Sequence, residues 1–309
     1  MRVEVLLATC QSERYLGELL DSLAAQTYRD FVLVVSDDCS ADATADILRD
    51  GTRGLANPPE ILLRTTPSGS AGANFASLLA GSRGDYVLLA DHDDIWLPDK
   101  IEAGLARIRA AESRYGVAAP LLGHGDLAVV DAAGRPLAPS FWAFKSIDPG
   151  FGAALPTALM HPTVTGCTAV LNRSLVDLVR QIPPEAVMHD WWIGLTAAAF
   201  GHVDADPTPR IRYRVHGGNV SAPKRSSLLG ALRRLPTADD IRRWVRLRLD
   251  QGELFLDTYR DQLPPESRAV LEEFVSIRGA GSLARRRTLL SGGFRSPDLW
   301  RNAATLAFV

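Results

Sequence analysis

The sequence predicts an α/β protein with a mostly parallel central sheet flanked by helices and a helical appendage at the C-terminus. Three observations predict it. Short continuous apolar runs alternate with segments of helical spacing, polar clusters follow three of those runs, and beyond Ser226 only helical patterns remain.

Val3–Thr9 is an apolar run rich in Val and Leu, the pattern of a strand buried on both faces. Tyr15, Leu16, Leu19, Leu20 and Leu23 follow at helical spacing up to Gln26, and Phe31–Ser36 reads as a second buried strand ending at Asp37-Asp38. The alternation continues with a helix over Thr44–Arg49, a strand over Ile61–Thr65, a helix over Ala73–Ala80 and a strand over Tyr86–Ala90. That strand runs into Asp91-His92-Asp93-Asp94. A βαβα order calls for parallel pairing, and ligands of such sheets sit at the carboxyl ends of the strands. Thr9–Glu13, Asp37–Ser40 and Asp91–Asp94 all fall on that edge. Past Pro98 we expect a helix to about Tyr115, a strand near Gly125–Val130, a long loop from Pro136 to Pro162 and a strand over Thr165–Leu171. A helix over Asp190–Phe200 and a last strand over Ile211–Val215 complete this part. The tail should form helices over Asp239–Gly252, Glu266–Ile277 and Leu283–Leu290, with no repeats or low-complexity tract.

The 309 residues leave room for two domains or one large domain with an appendage. With 46% hydrophobic and 23% charged residues, a wholly disordered or fibrous chain is excluded. The net charge of -2 gives no basis for nucleic acid as a partner. The charge is unevenly spread: 16 basic and 10 acidic residues lie from Lys224 onward, against 18 and 26 before it. Cys10, Cys39 and Cys167 are widely spaced and form no C-x-x-C pair, so neither a disulfide framework nor a thiolate zinc site is expected. The N-terminus lacks a signal-peptide pattern and no apolar stretch reaches spanning length, so a cytoplasmic location is expected.

Asp91-x-Asp93 after a buried strand is the sharpest chemical signal, because two carboxylates in an extended turn can share one hard divalent cation. A plain acidic turn, with Asp94 capping the next helix, fits the bare motif too. Asp37-Asp38-x-Ser40 offers acceptors for a pyrimidine imide or a ribose hydroxyl, or equally an Asx-turn. The Gly69–Phe75 segment lacks both the dinucleotide and the P-loop glycine order, though its helix start could face an anion. Asp190, beside Trp191 and Trp192, could act as a general base or simply cap a helix. His216 could complete a metal shell, with Arg214 or Asn219 on phosphate or sugar, or be an ordinary surface or core histidine.

Taken in order, these residues resemble the family 2 inverting glycosyltransferases of the type A, Rossmann-like fold, and among them the bacterial rhamnosyltransferase-like branch. The resemblance runs through Leu6–Gln11, Tyr15-Leu16, Leu23–Tyr28, Asp37–Ser40, Asn74-Phe75, Asp91–Pro98, Gly166–Thr168, His189–Trp191 and Tyr213–Asn219, about the first 225 residues. It implies a catalytic domain over residues 1–223, nucleotide-binding over 1–95 and acceptor-binding over 96–223, followed by a helical region over 224–309. Thr9, Glu13, Asp37, Asp38, Ser40, Asn74 and Asp91 are implied to bind the donor. Trp96, Gly166, Cys167 and Trp191 are assigned to the acceptor. Asp93 and His216 are implied as ligands of Mg²⁺ or Mn²⁺, and Asp190 as the base that takes the acceptor hydroxyl's proton.

The chain departs from the family at Cys10-Gln11 in place of Tyr-Asn, at His92 in place of the frequent Gln, and at Gly72-Ala73, where many members carry a cation. It has neither the Q-x-x-R-W motif nor the membrane spans of processive synthases, which favours transfer of a single sugar. The expected activity is metal-dependent, inverting transfer of a deoxyhexose, L-rhamnose from dTDP-rhamnose, to a cell-surface glycan, a lipid-linked glycan or another glycosylated acceptor. A UDP- or GDP-sugar transferase and a non-catalytic nucleotide-sugar-binding protein are the alternatives. A phosphotransferase with Asp91 as nucleophile fits worse, since no Thr or Val follows the pair closely. The basic tail, with Arg285–Arg287, Leu289-Leu290, Trp300, Leu306 and Phe308, admits a peripheral contact with an anionic membrane, a helical cap, or a homodimer contact.

Overall fold

β1 (Val3–Thr9) is buried at every position, as its unbroken apolar run requires. It opens the computed structural model of the protein, which describes residues 1–217 and 237–308. α1 (Leu16–Ala24), β2 (Val32–Asp37), α2 (Thr44–Gly51), β3 (Glu60–Leu63), α3 (Ala71–Gly81) and β4 (Tyr86–Asp91) follow, each within one or two residues of the expected ends. β1 pairs in parallel with β2 on one side and β4 on the other. The register sets Thr9 beside Asp37 and Ala8 beside Asp91, so the three polar clusters leave the sheet at one edge.

The second half is more finely divided than the sequence suggests. It contains β5 (Ile95–Trp96), α4 (Lys100–Tyr115), β6 (Leu121–Gly125), β7 (Ala128–Val130), β8 (Pro136–Ala138), α5 (Phe141–Lys145) and α6 (Leu155–Met160). After these come β9 (Val170–Asn172), α7 (Arg173–Val179), α8 (His189–Phe200), β10 (His202–Asp206) and β11 (Ile211–Arg214). The large sheet runs β10-β6-β9-β4-β1-β2-β3, with β9 antiparallel to β4 and β6; a smaller sheet runs β5-β11-β7-β8.

Three expectations need correction. The strand placed at Gly125–Val130 is two strands in two sheets, broken at Asp126, whose carboxylate accepts from the Leu127 and Trp142 amides and the Ser140 hydroxyl. The stretch Pro136–Pro162 is not one loop but holds β8, α5 and α6. The strand placed at Thr165–Leu171 begins as a 3-10 turn over Gly166–Thr168 and becomes β9 only afterwards.

α1 and α4 cover one face of the large sheet, while α3, α7 and α8 cover the other. The C-terminal region forms α9 (Ala238–Tyr259), α10 (Pro265–Ser276), α11 (Ser282–Ser291) and α12 (Leu299–Phe308). Thr237 starts α9 with a capping box, its hydroxyl accepting from the Asp240 amide and the Asp240 carboxylate accepting from the Thr237 amide. These helices share a core with α6 and α8, built on Trp191, Trp192, Phe255, Tyr259 and Phe274. The Trp192 indole donates to the Tyr259 hydroxyl, which donates to the Leu178 carbonyl, tying the two regions together. The expected boundary between residues 223 and 224 lies outside the described residues, as does Asn219.

Candidate active site

The loops after β1 and β2 are bound to each other. The Thr9 hydroxyl donates to Asp37 at 2.8 Å, and the Ser40 hydroxyl and amide donate to the same carboxylate at 2.7 and 3.0 Å. Asp38 accepts from the Ser68 amide at 2.6 Å and the Ser68 hydroxyl at 2.8 Å, with Arg64 at 3.5 Å. Gln11 and Cys39 adopt left-handed backbone angles, φ 50° and 59°, to make these tight exits. Glu13 is exposed and accepts from the Ala43 amide at the start of α2. Asn74 is buried, donating to the Ser36 carbonyl at 2.9 Å, so it supports the end of β2.

At the end of β4 the carboxylates crowd together. Asp93 is buried, and its Oδ2 lies 2.8 Å from His216 Nε2; the His216 ring packs 5.0 Å from that of Tyr15. Asp91 is half-buried, and burial together with the charges of Asp93 and Asp190 pushes its carboxyl up to about 7. Asp94 is fully buried, accepts from the Arg214 amide at 3.2 Å, and is driven well above the usual carboxylate range by burial and by Asp93 and Asp91. Burial also raises the Cys167 thiol beside Asp94 and Asp91. His92 is half-buried, and burial lowers its imidazole from the ordinary value.

Asp190 occupies the first turn of α8, with the Trp191 amide 2.7 Å from its Oδ1. Gly166 makes this placement feasible. A Cβ there would lie 2.9 Å from His189 Nε2 and 3.6 Å from the Asp190 Cβ, so a side chain would press on the buried His189 ring at the start of α8. His189 is buried, stacked on Phe75 at 4.3 Å between ring centroids.

Arg214 lies deeper than its place beside His216 suggests. It was a candidate phosphate or sugar contact, yet it is only 1% exposed. Its guanidinium donates to the Asp93 carbonyl at 3.0 Å, the Ala132 carbonyl at 3.1 Å and Glu18 at 2.8 Å, and lies over the Tyr15 ring at 4.5 Å. It clamps the acidic loop to α1 and to the turn before β8. Three of the acceptor candidates also turn out to be core. Trp96 and Trp191 are buried, the latter donating its indole N–H to the Ala158 carbonyl, and Cys167 is wholly enclosed. Their aromatic and thiol surface is used in packing. Gly166 acts through its lack of a side chain.

Two donor sets suit a cation differently. Asp91, Asp94 and Cys167 lie with ligand atoms within 4.8 Å of one another, but a buried, protonated thiol opposes metal binding there. Asp93 with His216, next to Asp91, offers the oxygen and imidazole donors that Mg²⁺ and Mn²⁺ accept. Asp91, Asp93 and Asp190 lie close enough for the charges of the other two to raise the Asp91 carboxyl, and such crowded carboxylates fit a cation.

Polar clusters at the carboxyl edge of a mostly parallel sheet, with an acidic turn after β4, fit a glycosyltransferase of the type A fold. Residues 4–178 match the family described as Glycosyl transferase family 2. The chain belongs to that family. A dTDP-rhamnosyl transferase, RfbG of Shigella flexneri, is 26% identical over 245 residues, covering 74% of this chain and 79% of that protein. The structure of residues 1–349 of TarS from S. aureus, in complex with UDP-GlcNAc, superimposes with a TM-score of 0.58 at 19% identity, covering 100% of this chain and 79% of that one. Of the longer TarS chain, the match spans 43%. The mannosyltransferase PcManGT from Pyrobaculum calidifontis, in complex with GDP-Man and Mn²⁺, gives a TM-score of 0.55 at 19% identity, covering 99% of this chain and 78% of that one.

Proposed function

We propose that this glycosyltransferase moves a deoxyhexose, L-rhamnose from dTDP-rhamnose, onto a cell-surface glycan, a lipid-linked glycan or another glycosylated acceptor in one metal-dependent, inverting displacement. The observation that carries the donor is the similarity to RfbG across 245 residues. Thr9, Glu13, Asp37, Asp38 and Ser40 shape the nucleoside pocket, and Asp91 faces the ribose or sugar. Asp93 and His216 would hold Mg²⁺ or Mn²⁺. When bound, that cation offsets the charge developing on the diphosphate.

Asp190 accepts the proton of the acceptor hydroxyl as its oxygen bonds to the anomeric carbon from the face opposite the nucleotide. The bond between that carbon and the diphosphate oxygen breaks in the same step, so the centre inverts. A carboxylate base suffices against an oxocarbenium-like centre. In this reading residues 1–95 serve the nucleotide and 96–223 the acceptor, with 224–309 as a helical region. No helix among the described residues is long and apolar enough to cross a membrane, and the three cysteines are unpaired, which supports a cytoplasmic setting.

The test is donor turnover by the purified protein across dTDP-, UDP- and GDP-sugars, with Mn²⁺ and with chelator. Mn²⁺-dependent consumption of dTDP-rhamnose is expected. Preference for a UDP- or GDP-sugar would discard rhamnose and leave the family membership standing.

A further inference from the structure

α11 packs onto the rest of the protein through one buried side chain, Leu289, while Arg285 donates to the Ala280 and Arg278 carbonyls. Its outer face is built differently from an ordinary solvated helix. Leu283, Arg286, Arg287 and Leu290 recur at spacings of three and four and share one stripe. Both leucines are exposed, at 83% and 69%. Among the described residues, Arg286 and Arg287 pair with no carboxylate, and α11 carries no acidic residue. Beside α11 a groove of about 520 Å³ is floored by Val245, Leu249 and Ile277 and edged by arginines. Of these, Arg246 and Arg285 have no carboxylate partner among the described residues.

We propose that this face of α11 docks on an anionic phospholipid surface. Unpaired guanidinium groups complement phosphate headgroups, and their alkyl stems let the charges stay at headgroup level while Leu283 and Leu290 enter the acyl boundary. The adjoining groove offers Arg246 and Arg285 to a headgroup and an apolar floor to its chain. A second copy docked through the same face of α11 would supply apolar surface for the leucines but would set Arg286 and Arg287 near like charges, which disfavours that symmetric occupant.

The experiment is co-sedimentation of the full chain with vesicles of phosphatidylcholine alone and of phosphatidylcholine with phosphatidylglycerol. Recruitment to the anionic vesicles only, weakened by salt, is expected. Arg286→Gln with Arg287→Gln should lower the partition coefficient about 30-fold, and Leu283→Ser with Leu290→Ser at least about tenfold. These side chains are exposed, so both variants should melt as the parent does and bind nucleotide equally well, which separates this test from that of the proposed donor. Equal recruitment to neutral vesicles, or anionic recruitment unchanged in both variants, would overturn the proposal. So would a dimer that the leucine variant converts to monomer with no vesicle binding at any salt.

Discussion

Replacing Arg214 tests whether the acidic loop is held from behind. Among the described residues its guanidinium donates to two carbonyls, those of Asp93 and Ala132, in a site 1% exposed, and to Glu18, which is half exposed. Hydrogen bonds from a charged donor are worth about 1.5–3 kcal/mol each, whereas the ion pair with Glu18 is discounted to about 1 kcal/mol or less by solvent. Arg214→Met should therefore cost about 3–6 kcal/mol. Arg214→Lys keeps the charge but can reach only one of the two carbonyls, so about half that loss is expected. Freed from its clamp, the Asp93 backbone shifts, and a displacement near 1 Å lowers the rate by about 10²-fold. Glu18→Gln is the control and should change stability by less than about 1 kcal/mol. Urea denaturation and sugar transfer at several Mn²⁺ concentrations read both effects. Wild-type transfer by Arg214→Lys at every Mn²⁺ concentration, or a loss under about 1 kcal/mol in Arg214→Met, would refute the clamp.

Asp190→Asn should retain nucleotide binding by calorimetry and lose transfer by about 10²- to 10⁴-fold; unchanged transfer would remove Asp190 from the chemistry. Gly201→Ala drives a Cβ into the Pro120 carbonyl oxygen where α8 turns into β10, so a loss of at least about 2 kcal/mol is expected in thermal unfolding. An unchanged melting temperature would contradict that contact. Burial lowers the His124 imidazole to about 4, against 6.5 in its ordinary state, with Asp204 opposing the shift. The unfolded chain therefore binds the proton more readily, and stability present above pH 6.5 is lost as pH falls toward 4, by up to about 3 kcal/mol. Comparing urea midpoints of the parent and His124→Gln at pH 7 and pH 4.5 checks it, since a difference independent of pH would rule out His124 as the source.

The first four large-sheet strands are legible because β1, β2 and β4 are continuous apolar runs, and burial on both faces leaves no competing pattern. β3 was readable although all four of its residues are exposed, because it falls in sequence between two helices. The later elements are short. α5 spans five residues and β8 three, too few for any period to register. β10 reads His-Val-Asp-Ala-Asp, and its charged positions, of which Asp204 pairs with Arg107, hide a strand at the sheet edge. In the site, Asp93 with His216 and Asp37 with Thr9 and Ser40 were visible because each lies directly after a buried strand. The burial of Trp96, Trp191, Cys167 and Arg214 was not legible, because sequence position does not reveal which side of the backbone a side chain takes.

The most direct test of the proposed chemistry is a calorimetric titration of dTDP into the protein with Mn²⁺ and with chelator, repeated on Asp93→Asn. Binding by the parent that strengthens with Mn²⁺, and a variant that binds dTDP weakly and identically in both conditions, is the expected result. Equal Mn²⁺ enhancement in parent and variant would contradict a metal site at Asp93, and the absence of dTDP binding in every condition would contradict the donor.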